Sequence, residues 1–181
     1  MKYKTKHIIG AGLLGIAAWL LLRPKKNKTP MTGNYFTIEE LSKSDTAQRN
    51  GIDNTPTPEA RQNLQALIDN ILNPARRLLG TWIIVNSGYR SPLVNKLVGG
   101  AATSQHTTGE AADITAGTKK LNRILFAIIA NMGNYDQLIW EGDGSWIHVS
   151  YKANGNNRGS MLAQTSSGGY VDIKNNWKNY I

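Results

Sequence analysis

Two long stretches of the chain repeat apolar residues every three or four positions, which is the spacing of an amphipathic helix. The first begins after Thr57, a suitable N-cap, with Pro58 in the first turn, and it ends at Gly80. Pro74 lies inside this stretch and predicts a kink, because proline lacks the backbone N–H that a helix interior uses. The second stretch covers residues 118–133. The pattern therefore predicts two long helices.

Shorter segments alternate apolar and polar residues, which is typical of strands that are buried on one face. They predict strands at residues 82–89, 111–116, 135–141 and 146–152. The last two segments are separated by a short loop and form a predicted hairpin. Helices and a small, mostly antiparallel sheet together predict an α+β fold with the helices on one face of the sheet. The polar, glycine-rich sequence from residue 154 predicts a loosely packed tail with one further strand near residues 170–173.

An uncharged apolar segment at residues 8–22 lies between two groups of basic side chains. A membrane-spanning helix needs roughly 20 apolar residues, so this segment is a marginal anchor. A cleaved signal sequence and a soluble or assembly-bound helix remain alternatives, but no small-residue cleavage site follows. We therefore expect an N-terminal membrane helix and linker over residues 1–34, a folded domain over 35–162 and a polar tail over 163–181.

The net charge of +9 is concentrated near the N-terminus. Residues 1–28 hold seven basic side chains and no acidic one, and the remaining chain carries 14 basic and 12 acidic side chains. The folded domain is thus nearly neutral and lacks the basic patch that a nucleic-acid-binding domain needs, so we expect no nucleic-acid partner. The chain has no cysteine, which excludes disulfides, thiol nucleophiles and cysteine-bound metals.

Three polar residues of the domain are unusual for their surroundings. His106 lies in a turn rich in serine, threonine and glycine, where a histidine is often solvated, and His148 lies in a strand, where it is often a core residue. Asp113 lies in the small, apolar segment AADI, where a carboxylate is costly unless a positive charge or several donors meet it. Two imidazoles and one carboxylate can bind zinc and leave one position open. Glu141, across the predicted hairpin from His148, is suitably located to act as a general base.

Three segments resemble the zinc D-Ala-D-Ala carboxypeptidases and related peptidoglycan peptidases, the M15-like peptidases. SQHTTGEAADI at residues 104–114 is similar to their S-x-H-x-x-G-x-A-x-D motif. WIHVS at residues 146–150 resembles their last ligand strand, and SGYRS at residues 87–91 resembles their substrate-side loop. The zinc domain of hedgehog proteins has a similar core. The resemblance extends over residues 35–162 and implies a hedgehog-type zinc fold.

The resemblance also implies roles for individual residues. One zinc ion per chain would be held by His106, Asp113 and His148. Arg90 would pair with a carboxylate of the substrate, which suits the planar guanidinium group. Ser104 would donate a hydrogen bond to the peptide near the metal.

The general base is the position at which this chain departs from the family pattern. Many carboxypeptidases of the family have an acidic residue three positions before the last histidine, and Ser145 occupies that position here. The base would then be Glu141, seven residues before His148, or Asp143, five residues before it. The hedgehog-like spacing favours Glu141. A relative without catalytic activity remains an alternative.

The function that the resemblance implies is hydrolysis of amide bonds in peptidoglycan stem peptides, by a carboxypeptidase or by an endopeptidase such as an endolysin. We expect a monomeric catalytic domain that is anchored in the membrane through residues 8–22 and faces the cell wall or periplasm, in a protein of cellular, phage or prophage origin. A non-catalytic zinc-containing module that binds the cell wall is one alternative function. A structural membrane-anchored protein without a metal is another.

Overall fold

A six-stranded sheet organises residues 33–181, the part of the chain that this computed structural model describes. The strands are β1 Ile84–Ser87, β2 Ala111–Thr115, β3 Gln137–Glu141, β4 Trp146–Ser150, β5 Ser160–Gln164 and β6 Tyr170–Asp172. Their order across the sheet is β1-β2-β4-β3-β5-β6. Only the β3–β5 pair is parallel within this sheet, so the predicted α+β fold with a mostly antiparallel sheet is confirmed.

Six α-helices accompany the sheet in this part of the chain. They are α1 Ile38–Leu41, α2 Asp45–Arg49, α3 Pro58–Leu67, α4 Asn73–Leu79, α5 Pro92–Leu97 and α6 Lys119–Met132. The predicted ends of the long helices agree with the structure. The Thr57 side chain accepts a hydrogen bond from the Ala60 backbone N–H, and Gly80 adopts a left-handed conformation with φ 70° after the last turn.

A π-helical segment, Ile68–Leu72, lies between α3 and α4 and ends two residues before Pro74, where the sequence predicted a kink. Proline has no N–H to donate to the carbonyl four residues earlier, which belongs to Asn70. The Asn134 side-chain amide donates to that carbonyl instead, at 3.2 Å. The continuous helical stretch from residue 58 to residue 79 therefore tolerates its proline through a change of helix type and a side-chain donor.

The two faces of the sheet have different roles because side chains alternate along each strand. One face belongs to the main core, together with residues of α3, α4 and α6; its buried members are Ala112, Ile114, Leu138, Trp140, Ile147, Val149, Met161 and Ala163. The opposite face carries polar side chains and forms the floor of an open groove. That face includes Asp113, Gln137, Ile139, Glu141, Trp146, His148, Leu162 and Gln164.

Strand β5 and helices α2 and α5 are elements that the sequence pattern did not predict. β5 lies inside the sheet between β3 and β6, and Met161 and Ala163 are buried on its core face. Ile173, within the polar segment at 163–181, is completely buried. The expectation of loose packing after residue 154 was therefore wrong for this part of the segment, because a few apolar residues among glycines and asparagines are sufficient when they meet an existing core.

The predicted membrane helix at residues 8–22 lies outside the described residues. Between residues 33 and 181, no helix has the length and apolar character needed to cross a membrane.

Candidate metal centre

The three predicted metal ligands converge and line the groove. Asp113 on β2 and His148 on β4 are direct partners in the antiparallel pair, so their side chains leave the sheet on the same face. His106 approaches from the turn that precedes β2. The Asp113 Oδ1 atom lies 3.2 Å from His106 Nε2 and 2.9 Å from His148 Nδ1.

These distances fit a divalent metal ion. A tetrahedral zinc site with bonds of about 2.0–2.1 Å separates neighbouring ligand atoms by about 3.3 Å. All three candidate ligand atoms lie within 4.8 Å of one another, and two imidazoles with one carboxylate are a donor set that zinc accepts. The residues therefore fit the metal that the sequence predicted, and they leave room for a fourth ligand.

The orientation of His106 is determined by a backbone contact. Its Nδ1 atom lies 2.7 Å from the Gly88 carbonyl oxygen, to which an Nδ1–H can donate, and this tautomer leaves the Nε2 lone pair directed toward the metal position. Gly88 itself packs so closely that a Cβ atom there would collide with the Leu41 carbonyl oxygen. The SGYRS segment thus supports the first ligand directly, a role that the resemblance alone did not indicate.

Asp113 is surrounded by positive and hydrogen-bonding groups. Burial alone would raise the pKa of its carboxyl, but in the metal-free site the hydrogen bonds and attraction of His106 and His148, when each ring carries both of its protons, outweigh burial and hold the pKa well below its ordinary value. Its second oxygen, Oδ2, accepts a hydrogen bond from the Arg90 guanidinium at 2.6 Å. The carboxylate is therefore ionised at neutral pH, as metal binding requires.

Arg90 was predicted to bind a substrate carboxylate, and the structure shows it paired with Asp113. Its Nε atom also donates to the Ser87 hydroxyl at 2.8 Å, which fixes the plane of the guanidinium group. The side chain lines the groove while it makes both contacts, so its role in substrate binding stays a prediction. Ser104 also lines the groove, and its hydroxyl lies 3.4 Å from the His106 backbone nitrogen; its predicted contact with the peptide stays a prediction as well.

The two candidate bases have different surroundings. Glu141 is the last residue of β3, is 7 % exposed and lines the groove. Burial raises the pKa of its carboxyl, and a hydrogen bond from the Tyr170 hydroxyl and the attraction of His148 partly offset that rise. Asp143 is 90 % exposed at its side chain, pairs with Lys119 at 2.6 Å and does not line the groove. Of the two carboxylates, only that of Glu141 lines the groove, and its role as the base stays a prediction.

Two features of the site were missed by reasoning from sequence. Tyr170 on β6 donates its hydroxyl to Glu141, although it belongs to the segment taken as a tail. The fully buried Asp136 accepts hydrogen bonds from Arg158 Nε and from Gln105 Nε2, at 3.0 Å and 2.9 Å. Gln105 directly precedes His106, so this network holds the ligand turn. Neither the polar segment around Arg158 nor the isolated Tyr170 carries a local signal of these contacts.

The groove has a volume of about 870 Å³ and is lined by charged side chains of both signs. Its cations are Arg90, Lys152 and Arg158. Its carboxylates are Glu110, Asp113 and Glu141, and the buried Asp136 pairs with Arg158. A bound divalent metal ion would add two positive charges to this nearly balanced set. The metal-loaded groove would therefore be net positive and would favour anionic ligands.

The ligand set and the neighbouring buried glutamate agree with the comparison of the chain with known families. Residues 34–150 match the family model described as Peptidase M15. Because this match covers more than half of the chain, the protein belongs to the Peptidase M15 family, and the resemblance inferred from its motifs is confirmed. Membership makes it a peptidase by class, with a His-Asp-His group that is compatible with zinc. A comparison with curated proteins found no match.

Proposed function

We propose that this protein is a zinc-dependent peptidase that hydrolyses amide bonds in peptidoglycan stem peptides. The observation that carries the proposal is the convergence of His106, Asp113 and His148 on a groove that also holds the buried Glu141. A metal position beside a carboxylate with a raised pKa is the arrangement that metal-assisted amide hydrolysis needs.

A zinc ion held by His106 Nε2, Asp113 and His148 Nδ1 would polarise the substrate carbonyl and lower the pKa of a water molecule. Glu141 is the residue that then handles protons. Its carboxylate accepts the proton of the attacking water, and the resulting carboxylic acid donates it to the leaving amine. The raised pKa of Glu141 makes the carboxylate a stronger base for the first step. Because the pKa is moved toward the working pH, the carboxylic acid can still give the proton to the amine as the C–N bond breaks.

Arg90 contributes by holding the metal-binding carboxylate. Its bond to Asp113 Oδ2 leaves Oδ1 facing the two histidines, so the carboxylate is already oriented before the metal binds. The remaining N–H groups of the guanidinium fork are candidates to bind an oxygen of the substrate.

The charge of the groove supports a substrate that carries carboxylates. Arg90, Lys152 and Arg158 are positive groups along its walls, and stem peptides end in free carboxylates. The predicted membrane helix at residues 8–22 supports a place at the cell envelope. We therefore propose a membrane-anchored protein of cellular, phage or prophage origin whose catalytic domain, acting as a monomer without a nucleic-acid partner, faces the cell wall or periplasm.

The experiment that tests this function uses the full chain in detergent, loaded with zinc. It is incubated with purified peptidoglycan, and the released fragments are identified by mass spectrometry. We expect one zinc ion per chain and release of D-alanine or cut stem peptides. Glu141→Gln should abolish release, whereas Glu110→Gln, which changes another carboxylate of the same groove, should retain it.

A non-catalytic zinc-containing module that binds the cell wall is the second candidate. It is favoured by Ser145, which occupies the position where many family members have their base. This function would be supported, and hydrolysis rejected, by three results together. The chain would bind one zinc ion and would bind peptidoglycan, but neither the wild type nor Glu141→Gln would release a fragment.

A further inference from the structure

The C-terminal part of the sheet lies beyond the residues that match the family, yet it contacts the candidate catalytic carboxylate. The family match ends at residue 150, whereas β5 and β6 cover residues 160–164 and 170–172. Tyr170 is the first residue of β6, and it lines the groove with Glu141. We propose that Tyr170 is a positioning residue, whose hydroxyl orients the Glu141 carboxylate for proton transfer. This role rests on the peptidase function proposed above.

The contact is a bifurcated hydrogen bond. The Tyr170 hydroxyl lies 3.2 Å from Glu141 Oε1 and 3.4 Å from Oε2, so it donates toward both carboxylate oxygens. Within residues 33–181, no other hydrogen bond reaches this carboxylate. A carboxylate that is almost completely buried needs such a donor, because an unpaired charge in this environment is costly.

The strands bring the tyrosine to this position through a continuous set of pairs. β5 lies beside β3 in parallel register, and Gln164 on β5 is the partner of Tyr170 on β6. The Gln164 side-chain oxygen accepts a hydrogen bond from the Gly142 backbone N–H at 2.9 Å, directly after Glu141. Gln164 therefore holds the end of β3 while Tyr170 holds the side chain of its last residue.

The surroundings of Tyr170 keep its hydroxyl protonated. Partial burial and the neighbouring Glu141 charge raise the pKa of the phenol above its ordinary value. The hydroxyl is consequently a donor at neutral pH. The residue is still 51 % exposed, so its ring borders the groove, where a bound peptide would lie against it.

The first test compares Tyr170→Phe with Tyr180→Phe in the full-length, zinc-loaded protein. Both changes remove one hydroxyl from a half-exposed tyrosine, and Tyr180 does not line the groove. We expect Tyr170→Phe to lower kcat about tenfold, the effect of one hydrogen bond to a charged group, with KM changed less than twofold. The zinc content should stay at one ion per chain, and Tyr180→Phe should behave like the wild type.

The second test measures the Tyr170–Glu141 contact through protein stability instead of catalytic activity. Urea unfolding of the metal-free protein is measured for the wild type, Tyr170→Phe, Glu141→Ala and the double variant. We expect Tyr170→Phe to lower the midpoint in the wild-type background and to leave it unchanged in the Glu141→Ala background, since the hydroxyl then has no carboxylate to bind.

The outcomes separate this proposal from the function on which it rests. A kcat for Tyr170→Phe equal to that of the wild type, or equal midpoint shifts in both backgrounds, would overturn the role of Tyr170. The peptidase function would still be identified by the loss of fragment release in Glu141→Gln. If the wild type releases nothing and the midpoint shifts remain unequal, the proposed function fails and the Tyr170–Glu141 contact stands.

Discussion

His148 Nδ1 lies 2.9 Å from Asp113 Oδ1, across two strands that pair these residues directly. The antiparallel register between β2 and β4 alone is therefore enough to bring two of the three candidate ligands together. The third, His106, depends on a turn that is held by the Gly88 carbonyl on one side and by the Asp136 network on the other. The strands thus supply two residues of the candidate metal centre, and a hydrogen-bonded loop supplies the third.

Replacing Gly88 by alanine should damage the metal centre through the backbone. A Cβ atom at this position would displace the chain from Leu41 and move the carbonyl that orients His106. We expect a loss of about 1–3 kcal/mol in the free energy of unfolding and a 10- to 100-fold weaker zinc affinity, on the order of what such changes cost elsewhere. Urea unfolding and competition with a chromophoric chelator measure the two effects. Gly169→Ala, where an added Cβ meets only an ordinary contact, is the control; equal results for both variants would contradict the role of Gly88.

Replacing Arg90 by glutamine should weaken zinc binding without removing a ligand. The guanidinium holds Asp113 Oδ2, so its loss frees the carboxylate to rotate away from the two histidines. We expect zinc affinity to fall by roughly 10- to 100-fold. Arg61→Gln removes an arginine from an exposed pair with Glu39 and should leave the affinity unchanged. An unchanged affinity in Arg90→Gln would show that Asp113 needs no such support.

The acid limb of the pH–rate profile should report the ionisation of the Glu141 carboxyl. Burial and the neighbouring Asp113 charge raise the pKa of this carboxyl above the ordinary value of 4.5, and they outweigh the Tyr170 hydrogen bond and the attraction of His148, which lower it. A base must be ionised to accept a proton, so kcat/KM should fall as the pH drops through this raised pKa. Tyr170→Phe removes a hydrogen bond that lowers the pKa and should move the limb to higher pH. Profiles of the wild type and Tyr170→Phe that superimpose would contradict this prediction.

Replacing Asp136 by asparagine should destabilise the turn that carries His106. The carboxylate is fully buried and accepts from Arg158 and Gln105, and a neutral amide cannot satisfy all of these donors. We expect a loss of about 1–3 kcal/mol in the free energy of unfolding. Burial raises the pKa of Asp136, but the hydrogen bonds from Arg158 outweigh burial and lower it. The stability that the ionised carboxylate contributes in the wild type is therefore fully present above the ordinary pKa and is lost as the pH falls through the lowered pKa.

The matched control for this change is Asp143→Asn. Asp143 is also paired with a cation, but its side chain is 90 % exposed and its pair with Lys119 is screened by solvent. Asparagine also tolerates the left-handed conformation that Asp143 adopts, with φ 55°. Urea unfolding should therefore show a much smaller change, and peptidase activity should persist. A loss of activity here would instead make Asp143 the base.

The sequence by itself determined the features that depend on neighbouring residues. The caps at Thr57 and Gly80 act within one helical turn, so their residue types indicate the helix ends directly. Asp113 and His148 were recognisable because each is a polar residue in a short apolar strand, where a polar side chain needs a partner. The candidate metal ligands could thus be proposed from residue chemistry together with the resemblance of three segments to the M15-like peptidases.

Tertiary structure alone decided the contacts that join distant parts of the chain. β5 has only five residues, and it becomes a strand because β3 offers it an edge and the core accepts Met161 and Ala163. Tyr170 meets Glu141 across 29 positions of sequence, and Arg158 meets Asp136 across 22. Such pairs leave no periodicity in the sequence, because the register of the sheet, and not local spacing, brings their atoms within hydrogen-bonding distance.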